Sequence, residues 1–140
     1  MYFLVKVKYT KQLENGAFKR VIENYLVEAM ESFTDAEARI YEELSPQIRG
    51  EFIVMKIDKF ELHTVFSFDD SETWNLVKIS FTDLDDNREI KQRILVAADT
   101  VAEANIRINE SISDLVRFQV ISVQKSNIVE VFPIFKADVI

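Results

Sequence analysis

The stretch Leu4-Val5-Lys6-Val7-Lys8-Tyr9-Thr10 returns as Leu76-Val77-Lys78-Ile79-Ser80-Phe81-Thr82, a shift of 72 residues. In both, apolar residues alternate with polar ones, which is the signature of a strand with one buried face. Farther along, Thr34-Asp35-Ala36-Glu37-Ala38-Arg39-Ile40 is matched by Thr100-Val101-Ala102-Glu103-Ala104-Asn105-Ile106 at a shift of 66. The same 66 carries Phe52, Val54, Ile57 and Phe66 onto Phe118, Val120, Val123 and Phe132. Each copy of such a period is one supersecondary unit whose apolar face needs a neighbour, so two copies predict a pseudo-symmetric pair.

Within each copy the order of elements follows from local chemistry. Asn15-Gly16 tolerates positive φ and predicts a hairpin into a second strand from about Phe18 to Ala29. Asp85-Asp86-Asn87 does the same ahead of a strand near Glu89 to Ala97. Thr34 with Glu37, and Thr100 with Glu103, fit the reciprocal cap that opens a helix. The six-residue change between the two shifts is placed in the hairpin and its exit.

Ala36, Ile40 and Leu44, and in the other copy Ala104, Ile108, Ile112 and Leu115, keep helical spacing. The first helix is expected to stop near Ser45-Pro46, with Gly50 as the reversal. An apolar strand follows each helix. Phe52 to Ile57 is apolar on both faces for most of its length and reads as a central or doubly covered strand. After Asp58 and Gln124 the pattern slips and resumes, which fits either a hairpin or one long bulged strand.

The predicted fold is therefore α+β: two β-β-α-β(β) units, mainly antiparallel, with two amphipathic helices on sheet faces. Repeat 1 covers about 3–66, a connector 67–74, repeat 2 about 75–132, and an apolar C-terminal tail 133–140. The short connector argues for one domain with a shared core. Trp74, at the end of the connector, is placed at a lip between the copies.

The chain has 140 residues, 48% apolar and 29% charged, and only two glycines, two prolines and no cysteine. That is the composition of a folded globular domain built mostly of regular structure. No apolar run reaches the ~20 residues of a membrane span and no leader is visible, so the expectation is a cytoplasmic protein that does not engage a membrane. The net charge of −7 opposes indiscriminate attraction to a phosphate backbone.

Little in the sequence points to catalysis. His63 is the only histidine, within an apolar segment, and reads as structural. Without cysteine, and with glycine only at positions 16 and 50, thiolate chemistry, dinucleotide fingerprints and phosphate loops are absent. Asp83-x-Asp85-x-Asn87 opens like a calcium loop, but Arg88 stands where its glycine belongs and the closing Glu is missing, so a solvated turn is the better reading. No catalytic residue, metal site or cofactor is therefore expected.

One charge imbalance remains. The first hairpin carries Lys6, Lys8, Lys11, Lys19 and Arg20 against three acids, and such a face with exposed aromatics would suit nucleic acid, including single strands. The plainer alternative is a lysine-studded strand face that discourages edge aggregation.

The order of an opening Tyr2-Phe3-Leu4-Val5-Lys6-Val7-Lys8-Tyr9 strand, then Tyr25-Leu26-Val27-Glu28-Ala29, then Phe33-Thr34-Asp35-Ala36-Glu37-Ala38-Arg39-Ile40, resembles an uncharacterised small-domain family common in Bacteroidetes genomes and in their phages and mobile elements. The resemblance spans nearly the whole chain and implies a bacterial or phage protein. It assigns no activity to any residue.

Three functional classes follow. The first is a non-enzymatic binding or assembly module that meets a protein partner, or itself, through the apolar tail. The second is a nucleic-acid accessory protein using the basic hairpin. The third is an acidic inhibitor that imitates nucleic acid.

Overall fold

The fold is that of a computed structural model in which residues 1–112 and 117–134 are described. Among them are eight strands in two mixed four-stranded sheets and two helices, an α+β architecture as expected. The strands are β1 (Tyr2–Gln12), β2 (Phe18–Glu28), β3 (Phe52–Phe60), β4 (Thr64–Phe66), β5 (Trp74–Asp83), β6 (Arg88–Ala97), β7 (Phe118–Lys125) and β8 (Ile128–Phe132). The helices are α1 (Phe33–Leu44) and α2 (Val101–Ser111). The chain divides into two compact units, one of Met1–Phe60 with Ile128–Ile140 and one of Glu61–Asn127.

Unit 1 contains the sheet β3-β1-β2-β8. Its antiparallel core of β1 with β2 and β3 gains β8 as a parallel edge, Leu26 lying opposite Val131 and Val27 opposite Phe132. Phe3, Val5, Val7, Tyr25 and Val27 turn one face of the sheet toward Ala36, Ile40 and Leu44 of α1. Full burial of each such aliphatic side chain contributes roughly 1.5–3 kcal/mol, which is what holds the helix on the sheet.

Unit 2 repeats the plan with β7-β5-β6-β4, where β4 is the parallel edge beside β6. Val77, Ile79, Ile94 and Val96 meet Ala104 and Ile108 of α2. The segments after Asp58 and Gln124 are thus separate strands, and neither is a hairpin with, or a continuation of, the strand before it. Each adds to a sheet other than that of its predecessor: β4 joins β6, and β8 joins β2.

Several expectations are corrected. The cap of α1 is Ser32, whose hydroxyl accepts from the Asp35 N–H at 3.1 Å, not Thr34. Starting there puts Phe33 at the first helical position, edge-on to Phe3 at 5.4 Å. In α2 Thr100 is the cap as expected, accepting from Glu103 at 3.0 Å. Corresponding helix positions therefore lie 68 apart, with Ala36, Arg39 and Ile40 matching Ala104, Arg107 and Ile108.

Along the sheets the shift is 72 between β1 and β5 and 69 between β2 and β6, since Val5 faces Tyr25 as Val77 faces Ile94. It falls to 66 only at β3 and β7. The six-residue difference is accordingly spread over the hairpin, the entry to the helix and the exit from it.

β3 is an edge strand rather than a central one, and Ile53 and Met55 on it are 62% and 49% exposed. A bulge explains the misleading pattern. Lys6 pairs with Lys56 and Val7 with Val54, so Met55 is extra, and the three-residue step from Val54 to Ile57 keeps both on the core face. β7 has the same irregularity between its pairings to Lys78 and Ile79.

His63 is exposed in the link between β3 and β4, not inside an apolar strand, and its backbone N–H donates to the Arg93 carbonyl at 2.9 Å. Trp74 opens β5, buried, with its carbonyl accepting from the Ser126 N–H. Of the apolar tail, Pro133 and Ile134 are tied to unit 1 through Arg39 and Glu28. The rest of the tail, and Leu115, lie outside the described residues.

Candidate functional site

Antiparallel partners share a sheet face, so the register of unit 1 sorts the five cations of the first hairpin. Lys6 lies beside Asn24 and Lys56, Lys8 beside Ile22 and Ile53, and Arg20 beside Thr10. All of these are on the face turned away from α1. Lys11 and Lys19 are partners of one another on the helix side, beyond Tyr9. The structure brings three of the five residues to one face and places the other two on the opposite one.

Lys8, Thr10 and Arg20 meet Ile53 and the loop residues Arg49 and Glu51 around an open cleft of about 470 Å3. The cleft exists because the chain leaving α1 must reverse into β3. Past the end of α1, Ile48 donates its N–H to the Leu44 carbonyl, and Gly50 at φ 87° makes the turn. That left-handed conformation is unstrained for glycine. It carries Arg49 to the rim of the sheet.

Among the described residues, Lys6, Lys8, Arg20 and Arg49 form no ion pair, whereas Lys56 pairs with Asp58 at 3.4 Å. Glu51 is the carboxylate in the cleft. Two residues along β2 from Arg20, Phe18 shares the face and is 72% exposed, with Ile22 next on the other side. Among the described residues, cations without ion pairs, an exposed ring and a groove thus lie together on this face of the sheet.

Arg49 and Phe18 were not singled out in the sequence. Phe18 had a signal, since it falls on the same alternation as Arg20. Arg49 had none, because its place depends on a reversal and on the pairing of β1 with β3.

On the opposite face the Tyr9 hydroxyl donates to Glu23 Oε1 at 2.7 Å and that of Tyr25 to Oε2 at 3.2 Å. Lys11 Nζ is 3.9 Å from the same carboxylate. Burial, and next the hydrogen bond and charge of Glu23, push the Tyr9 phenol up to about 12. Burial and the charge of Glu23 also raise Tyr25.

The folded chain holds these protons more tightly than the unfolded one, whose tyrosines titrate at about 10. Stability is thus complete below that value and is lost as pH rises through it toward 12. Alkaline unfolding followed with phenolate absorbance is expected to show this, and Glu23→Gln is expected to bring Tyr9 down. An unchanged Tyr9 titration in that variant would contradict the assignment.

No group of three His, Cys, Asp or Glu that could hold a metal occurs among the described residues, and no described helix is long and apolar enough to cross a membrane. The chain is thus defined by two mixed four-stranded sheets, each backed by one helix, with a basic face on the first. The profile described as Domain of unknown function (DUF4494) matches residues 1–134, and the chain belongs to that family. No curated protein and no solved structure matches it.

Proposed function

We propose that this protein is a non-enzymatic binding module that holds single-stranded nucleic acid across the outer face of the unit 1 sheet. The observation that carries the reading is the convergence of Lys8, Arg20 and Arg49 on one cleft without ion-pair partners, in a chain whose net charge is −7. In an acidic protein, unneutralised cations gathered at one groove direct an anion there. Exposed Phe18 beside Arg20 offers a stacking surface, and stacking tolerates any base. A setting in bacteria or their phages, implied by the sequence resemblance, agrees with such a role.

Fluorescence anisotropy with labelled oligo-dT and oligo-U at low salt tests the reading. Binding is expected to weaken steeply with salt, and Lys8→Glu with Arg20→Glu is expected to reduce affinity more than about tenfold. Lys11→Glu with Lys19→Glu reverses the same charge on the opposite face and is expected to have a much smaller effect. Absence of binding at low salt, or equal losses in the two double variants, would refute the proposal.

A further inference from the structure

The sheet registers set Tyr9, Glu23, Tyr25 and Phe132 of unit 1 at the positions that Phe81, Gln92, Ile94 and Phe66 hold in unit 2. In unit 1 that place is full. The Tyr25 ring lies stacked on Phe132 with centroids 5.8 Å apart and planes at 14°, and its hydroxyl and that of Tyr9 both donate to Glu23. In unit 2 the stacked tyrosine is an isoleucine, the other tyrosine has lost its hydroxyl, and the carboxylate is an amide.

The described residues of unit 2 surround a half-open hollow of about 250 Å3 at this place. Phe66, Ile79, Phe81, Ile94, Ile112 and Phe118 form its apolar wall, and His63, Thr64, Gln92 and Ser111 supply its polar groups. An apolar cavity of roughly 150 Å3 is enough to take up benzene. This one has room for a ring with a substituent.

We propose that the hollow is a binding site for a small monocyclic phenol. The ring stacks on Phe66 as Tyr25 stacks on Phe132, and the hydroxyl donates to Gln92 Oε1 as the hydroxyl of Tyr25 donates to Glu23. Unit 1 is the template, since it shows the same sheet positions occupied by a phenol that the chain itself provides. Gln92 makes no side-chain hydrogen bond to a described residue, so its amide oxygen is open to a ligand. The neutral amide also avoids the charge that raises the tyrosine pKa values in unit 1. This site is independent of the basic face.

Methyl-detected NMR of the full chain, titrated with 4-methylphenol and separately with toluene, tests the proposal. The methyl groups of Ile79, Ile94 and Ile112 are expected to shift saturably, with 4-methylphenol binding about fivefold more tightly than toluene, the factor for one net hydrogen bond. Gln92→Leu is expected to erase that preference while keeping the affinity for toluene. Ile94→Tyr supplies the ring from within and is expected to abolish binding of both.

No saturable shift up to the solubility of either compound would overturn the site. Equal affinity for the two compounds in the unmodified protein would overturn the role of Gln92. Undiminished binding to folded Ile94→Tyr would place the ligand elsewhere. Should that variant not fold, the comparison of Gln92→Leu with the unmodified protein decides.

Discussion

Arg39→Ala is expected to destabilise the protein by about 3 kcal/mol and to strip hydrogen-exchange protection from Val131 and Phe132 in β8. The Arg39 guanidinium donates to three carbonyls, those of Glu28 at 3.3 Å, Phe132 at 3.2 Å and Pro133 at 2.8 Å. It is also 3.1 Å from the Glu43 carboxylate, one turn along α1. With its side chain 22% exposed, the group is shielded enough for charged hydrogen bonds to count, and alanine removes all of these donors at once. One side chain therefore ties the helix, the end of β2 and the parallel strand together.

Arg39→Lys keeps the charge but loses the planar fork, so it is expected to recover less than half of the stability. Arg107 holds the corresponding position in α2. It donates to the Ala97 carbonyl at 2.7 Å, lies over the Phe68 ring, and pairs with Glu103 and with Asp70. Asp70 is 68% exposed, so that ion pair contributes little, but Arg107 itself is 11% exposed; with one backbone carbonyl to satisfy against the three of Arg39, Arg107→Ala is expected to cost less, about 2 kcal/mol. Denaturant unfolding of the two variants checks the contrast. Equal losses would mean that Arg39 does not hold β8.

Leu44→Ala is expected to cost about 3 kcal/mol, the usual range for emptying a packed site. Leu44 is completely buried at the end of α1, in the same cluster as Ile48, Phe132 and the ring-bearing Tyr25. Ile112 occupies the equivalent position after α2, but it is only half-buried and borders the hollow. It packs on the edge of the unit 2 cluster and part of its surface lines the hollow, so Ile112→Ala is expected to cost less than Leu44→Ala, about 2 kcal/mol. Chemical denaturation of both variants is the measurement. Similar costs would show that the hollow is filled in solution.

The elements themselves were legible because each rests on a local rule. The alternation in β1 and β5 and the positive-φ turns at Gly16 and Asn87 are set by residues within a few positions of one another. The α1 cap departs from expectation because Ser32-x-x-Asp35 and Thr34-x-x-Glu37 satisfy the same rule two residues apart. Only the packing of Phe33 and Ala36 separates them. In β3 an apolar run hid a bulge, because the extra residue makes inward and outward positions look alike.

The basic face was legible in part. Lys6, Lys8 and Arg20 follow alternation, but which lysines share a face depends on the hairpin register, and Arg49 reaches the cleft through a pairing between distant segments. The destination of β4 and β8 left no trace in the sequence at all. Thr64-Val65-Phe66 and Ile128 to Phe132 read as strands, and nothing in a strand names its neighbour.

The route of β8 has a consequence for how the molecule is made on the ribosome. Residues 61–127 hold every strand of the second sheet, so that sheet can assemble as soon as they emerge. The first sheet must wait for residues 128–132, although its other three strands are synthesised first. The half translated earliest is the one completed last. During that interval the edge of β2 offers unpaired N–H and C=O groups to any passing strand, and contacts this distant in sequence form slowly. Arg39, already held by Glu28 and Glu43, waits with its Nη2 unused for the carbonyls of Phe132 and Pro133 to arrive.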